Sequence, residues 1–100
     1  MSTLAIYEFL FDYGNEEEFA VHGVSSVEVL QVLGNRYLIQ PNRRARRGAF
    51  LVIGTTDGGS CLAIPIKPTH DREIWRPMTA WPCKRSGIAK LRKAQGGRRV

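Results

Sequence analysis

Between residues 16 and 33 the apolar side chains recur at helical spacing, and from residue 36 onward they fall in short blocks divided by turn-forming clusters. Asn15 followed by Glu16, Glu17 and Glu18 reads as an N-cap with an acidic first turn, Glu18 being placed to reach back as in a capping box. That helix stops near Gly23. Ser25 repeats the device with Glu28 three positions on, and Val27, Val29, Leu30, Val32 and Leu33 make a broad apolar face that ends at Gly34. Residues 6–11 form a short apolar and aromatic segment, read as a strand or as chain laid on the core. Strands are predicted at 36–40, 50–55, 60–66 and 73–80. The second and third are joined by Thr56-Asp57-Gly58-Gly59, whose Asp-Gly step supplies the positive φ angles of a tight hairpin. Pro65 and Pro77 each remove a ladder donor, so each requires an outward amide, a bulge or an edge position. Residues 83–95 read as a C-terminal helix with Ile88 and Leu91 inward, and residues 96–100 as a loose basic tail. The pattern predicts one α+β domain over residues 1–95: two N-terminal helices packed on a twisted four-stranded antiparallel sheet, then a C-terminal helix.

A chain of 100 residues suffices for one compact core. It contains no run of about 18 apolar residues, and its opening segment lacks a basic n-region. No membrane partner and a cytoplasmic location are therefore expected. Cys61 and Cys83 stand 22 apart with no second ligand at metal spacing, so two free thiols are expected rather than a disulfide or zinc site. No metal and no cofactor are called for.

Charge changes the picture most. The six acidic residues of positions 1–35 stand without a single Lys or Arg, whereas all fifteen cations lie from Arg36 onward against only Asp57, Asp71 and Glu73. The net charge of +6 thus hides a strongly basic second part, suited to a polyanion such as nucleic acid. Arg43, Arg44, Arg46 and Arg47 crowd one strand-to-strand connection, where guanidinium forks match phosphate oxygens in pairs. Such a run also reads as a solvated loop, but Lys67, Arg72, Arg76, Lys84 and Arg85 on later elements tilt it toward RNA binding. Trp75 and Trp81 are candidates for stacking a base, although core packing is the expected task of one of the two. Groups for catalysis are few. His22 ends the first helix and reads as structural, while His70, in the loop 68–71, is a candidate acid or base. No paired-carboxylate site, Ser-His-Asp order or glycine-rich phosphate loop can be assembled. RNA cleavage by the substrate's own 2′-hydroxyl remains feasible, since it needs only positioning and neutralisation of the phosphate.

Four segments in order carry a resemblance: Phe11-Asp12; His22-Gly23-Val24-Ser25 with Val27-Glu28-Val29; Leu51-Val52-Ile53-Gly54-Thr55; and Ile74-Trp75-Arg76-Pro77-Met78-Thr79-Ala80. Over about residues 9–92 the chain resembles the BrnT family of toxins from bacterial toxin–antitoxin pairs. The resemblance implies a RelE-like fold and a metal-independent endoribonuclease, a hydrolase that inhibits translation. It also implies a cognate antitoxin that binds operator DNA and holds the toxin in a hetero-oligomer. Carried onto this chain, Arg76 matches the arginine of the last-strand motif and joins Lys67, Arg47 and His70 as the catalytic set. Phe11 stands where a tryptophan is usual, Ala49 and Trp81 where arginines are, and Lys84, Arg85 and Ser86 where a glutamate is expected. A binding module of the same build without nuclease activity is the alternative.

Overall fold

The computed structural model describes residues 6–42 and 49–96, the side chains of the last two excepted. Its elements run β1 (Glu8–Phe9), α1 (Tyr13–Val21), α2 (Ser26–Gly34), β2 (Tyr37–Pro41), β3 (Phe50–Thr55), β4 (Cys61–Pro68), β5 (Ile74–Pro77), β6 (Trp81–Pro82) and α3 (Arg85–Gly96). The α+β class is as expected, but the sheet has six strands, in the order β1-β5-β4-β3-β2, with β6 following β5 along β4. It is also mixed, because β1 lies parallel to β5 while the remaining pairs are antiparallel.

The first helix begins earlier than its acidic run suggests. Asp12, not Asn15, is the N-cap, and Asn15 serves as the third helical residue of a reciprocal capping box. The competing signal at Asn15 loses because its amide is required elsewhere: buried completely, its Nδ2 donates to the carbonyls of Leu10 at 2.9 Å and Pro77 at 3.0 Å. Ser25 and Glu28 cap α2 as its sequence predicts. The β3–β4 hairpin follows a different turn from the one expected. Gly59 N–H bonds to Thr56 O and, of the two loop glycines, it is Gly59 rather than Gly58 that carries a positive φ, 90°. This is a three-residue connection with the left-handed position last.

Alternation along β3 separates two faces. Phe50 and Val52 turn toward α1 and α2, where they join Phe9, Phe19, Val29, Val32, Ile64, Ile66 and Trp75 in the core. Gly54 stands on that face because a Cβ there would meet the Val32 side chain at 2.7 Å and Tyr37 Cβ at 2.8 Å. Ile53 points to the other face, under α3, which buries Leu91 among its described side chains. Apolar residues on both sides of β3 thus reflect helices on both sides of the sheet.

The predicted strand at 73–80 is broken into β5 and β6 by a bulge. From Ile66 to Ala63 β4 advances three positions, while its partner advances four, from Pro77 to Trp81. Pro65 explains the location. Its carbonyl accepts from Met78 N–H at 2.8 Å, so its missing donor faces the same edge, where the ladder is interrupted instead of being left with an unpaired carbonyl. Pro77 turns its carbonyl the opposite way, to Asn15, and its absent N–H costs β4 nothing.

That one-residue slip has two consequences. A continuous strand would have set Trp81 opposite Leu62, on the core face; the bulge sets it opposite Ala63, on the α3 face. It also brings Cys83 beside Cys61, with Cys83 N–H donating to Cys61 O at 3.0 Å, and the two side chains form a disulfide. The expectation of two free thiols is therefore corrected. Nothing local in the sequence marks a pairing that depends on a bulge.

Candidate nucleic-acid interface

Between α3 and the sheet face opposite α1 and α2 runs a cavity of about 650 Å3. Its floor is Leu51, Ile53 and Ala63, its walls include Trp81 and Cys83, and Gln40, Pro41, Asn42, Lys84, Ser86, Gly87 and Lys90 complete the lining. At Gly87 α3 lies close to the sheet, a Cβ position there being in ordinary contact with Cys83 Cβ at 3.5 Å and Ile53 Cδ1 at 3.8 Å. Trp81 is half-buried, with the His22 ring edge-on to it at 6.1 Å between centroids. His22 is exposed at the C-cap of α1, where its backbone N–H bonds to the Phe19 and Ala20 carbonyls. Among the described residues no carboxylate or imidazole lines the cavity.

The expected RNA-contacting residues divide sharply. Trp81 and Lys84 are brought together in the groove, and Lys67 is exposed on the same sheet face, two strand positions beyond Pro65, or about 7 Å along β4. Arg85 is exposed at the start of α3 but does not line the groove. His70 and Arg72 lie exposed in the loop after Pro68. Trp75 is corrected outright: it is 6% exposed, packs edge-on against Phe50, and belongs to the opposite face. Arg43, Arg44, Arg46 and Arg47 lie outside the described residues. The positions flanking them are described: Asn42 N–H donates to Ala49 O, and Ala49 N–H to Ile66 O, next to Lys67. Lys90 and Gln40 went unnoticed in the sequence, where a lysine in a basic helix and a glutamine in a strand carry no distinguishing mark.

Arg76 stands opposite Lys67 in the β4–β5 register, yet its fork is occupied. Nε donates to Asp12 Oδ2 at 2.8 Å, Nη2 to Asp12 Oδ1 at 3.0 Å, and Nη1 to Met78 Sδ at 3.2 Å. The phosphate-binding role that the resemblance assigns to Arg76 gives way to a structural one, tying the α1 N-cap to β5. The Arg76 fork, and then the Asn15 backbone N–H, hold the Asp12 carboxyl at about 2, below its ordinary 3.8, against partial burial that acts in the other direction. The same bond raises Arg76. Because the folded-state value lies below the unfolded one, this stabilisation is complete above pH 3.8 and is lost as pH falls toward 2. The thermal midpoint of Asp12→Asn should therefore converge on that of the parent through this window. Parallel curves in acid would show that the ion pair contributes nothing.

Charge and architecture coincide. The acidic stretch forms α1 and α2 on one side of the sheet, with Glu16 and Glu17 exposed, and Lys84 and Lys90 line the groove on the other. An apolar floor, an aromatic wall and flanking ammonium groups suit a base with its neighbouring phosphates. Among the described residues no group of three or more His, Cys, Asp or Glu is placed as a metal cluster, and no helix is long and apolar enough to cross a membrane. The chain matches no protein-family model, no curated protein and no solved structure.

Proposed function

We propose that this chain is a toxin of the BrnT kind, RelE-like in arrangement, that acts on single-stranded RNA held in the groove between α3 and the sheet. The observation that carries the reading is the presence of Trp81 with Lys84 and Lys90 over an apolar floor, on the face shared with Lys67. Trp81 stacks a base; the lysines hold the adjoining phosphates. In the cleavage step the 2′-hydroxyl gives its proton to water as its oxygen attacks the neighbouring phosphorus, and the bond to the 5′-oxygen breaks as that oxygen takes a proton from water, leaving a 2′,3′-cyclic phosphate and a 5′-hydroxyl. Lys67 neutralises the growing negative charge. The partner implied is a cognate antitoxin that binds operator DNA, whose acidic segments cover the groove and occlude RNA.

A second reading, a binding module that holds RNA without cleavage, is favoured by one observation: Arg76 is held by Asp12, and among the described residues no carboxylate or imidazole lines the groove. End-labelled RNA incubated with purified protein separates the two. Fragments ending in cyclic phosphate support the nuclease; intact RNA in a salt-sensitive complex supports the binder. Either way Trp81→Ala should weaken RNA affinity by about 10- to 100-fold, the range of one lost base–aromatic stack. Unchanged affinity in that variant would remove the groove from the account.

A further inference from the structure

We infer that the Cys61–Cys83 disulfide is a redox latch that holds α3 against the sheet and so controls the groove; its effect on RNA rests on the proposed function, its effect on α3 does not. Cys83 lies between β6 and α3 and is itself part of the groove wall. Besides the disulfide, that segment is tied to β4 only through the short β6 pairing, Leu62↔Pro82 and Ala63↔Trp81, and the Cys83 N–H bond to Cys61 O, among the bonds described. At its far end α3 is attached through Leu91, the one buried side chain among those described in the helix. At its near end it rests on the disulfide, the Gly87 Cβ position being 3.9 Å from Cys83 Sγ. A helix this short is marginal in water without tertiary support.

Both cysteines are half-buried, within reach of a small dithiol. One thiolate of the reductant attacks a sulfur of the pair and forms a mixed disulfide; its second thiol then displaces the protein sulfur. Two electrons pass to the protein, Cys61 and Cys83 end as thiols, and the dithiol leaves as a cyclic disulfide. With the link open, the first turn of α3 detaches from Ile53, and Lys84, Gly87 and Lys90 no longer form a continuous wall. The groove is assembled in the oxidised chain and loosened in the reduced one.

Amide hydrogen exchange on the full chain, before and after dithiothreitol, reads the latch directly. In the reduced form the amides of α3 should exchange at least about tenfold faster while those of β3 and β4 hold their protection. Cys83→Ser should behave as the reduced parent under both conditions. In parallel, affinity for a single-stranded RNA oligonucleotide should fall about tenfold on reduction, recover when the parent is reoxidised, and not recover in Cys83→Ser. Unchanged α3 exchange overturns the latch whatever RNA does. Loss of protection throughout β3 and β4 also overturns it, by making the disulfide a global staple. Loosening of α3 in a protein that binds no RNA when oxidised leaves the latch standing and removes the RNA reading instead.

Discussion

Asn15→Ala is expected to lower the thermal midpoint by about 12–24 °C. Asn15 is 0% exposed, and its amide substitutes for a missing strand at the end of β5. β1 pairs with β5 at Ile74 and Trp75, then the chain turns away into α1, leaving the outward carbonyl of Pro77 without a ladder partner. Nδ2 satisfies that carbonyl and the carbonyl of Leu10, while the backbone N–H and Oδ1 close the capping box with Asp12. Alanine removes both donors and half the box. Unsatisfied buried acceptors cost roughly 1–3 kcal/mol each, and with the cap a total near 3 kcal/mol follows. At about 4–8 °C per kcal/mol for a domain of this size, that gives the stated fall. Asn15→Asp tests the cause, since it keeps the shape and the cap acceptor but faces two carbonyls with a third acceptor. It should be at least as damaging as alanine. Exposed Glu17→Ala, on the same helix, should stay within about 0.5 kcal/mol. If Asn15→Asp proves mild, side-chain volume rather than hydrogen bonding holds this corner together.

The same residue shows where local reading of the chain succeeds and where it stops. Ser25 and Glu28 are legible because both halves of the box lie within one turn. Asn15 looks equally complete in sequence, with three glutamates behind it, but its decisive partner is Pro77, 62 positions away. Strand β3 and the hairpin after it are legible for a different reason: alternation and turn chemistry act over a few residues, and a one-position error in the turn glycine leaves the pairing intact. The bulge at Pro65 is a long-range event of the opposite sort. One inserted residue decides which face Trp81 occupies and whether Cys83 meets Cys61. The proline announces that something must give; which residue is inserted depends on packing that no local pattern records. The candidate site inherits this division. Its cations are visible as composition, whereas the separation of Trp81 from Trp75, and of Lys84 from the occupied Arg76, appears only when the register is known.

Charge segregation gives that site a quantitative test. Lys67, Lys84 and Lys90 are all exposed, so replacing the three by alanine should leave stability nearly unchanged while removing three phosphate contacts. For single-stranded nucleic acid each contact adds about 0.7 to the slope of log affinity against log salt, so the triple variant should lose about two units of slope. At 0.1 M salt this corresponds to roughly 100-fold in affinity, or about 3 kcal/mol. Removing the same number of charges at Arg36, Arg92 and Lys93, also exposed but outside the groove lining, separates local contact from the general attraction of a basic protein. Charges beyond about 10 Å are largely screened at this salt, and the control should therefore cost only a few-fold. Equal losses in the two triples would mean that RNA meets the molecule as diffuse charge, and the groove beneath α3 would have no special claim on it.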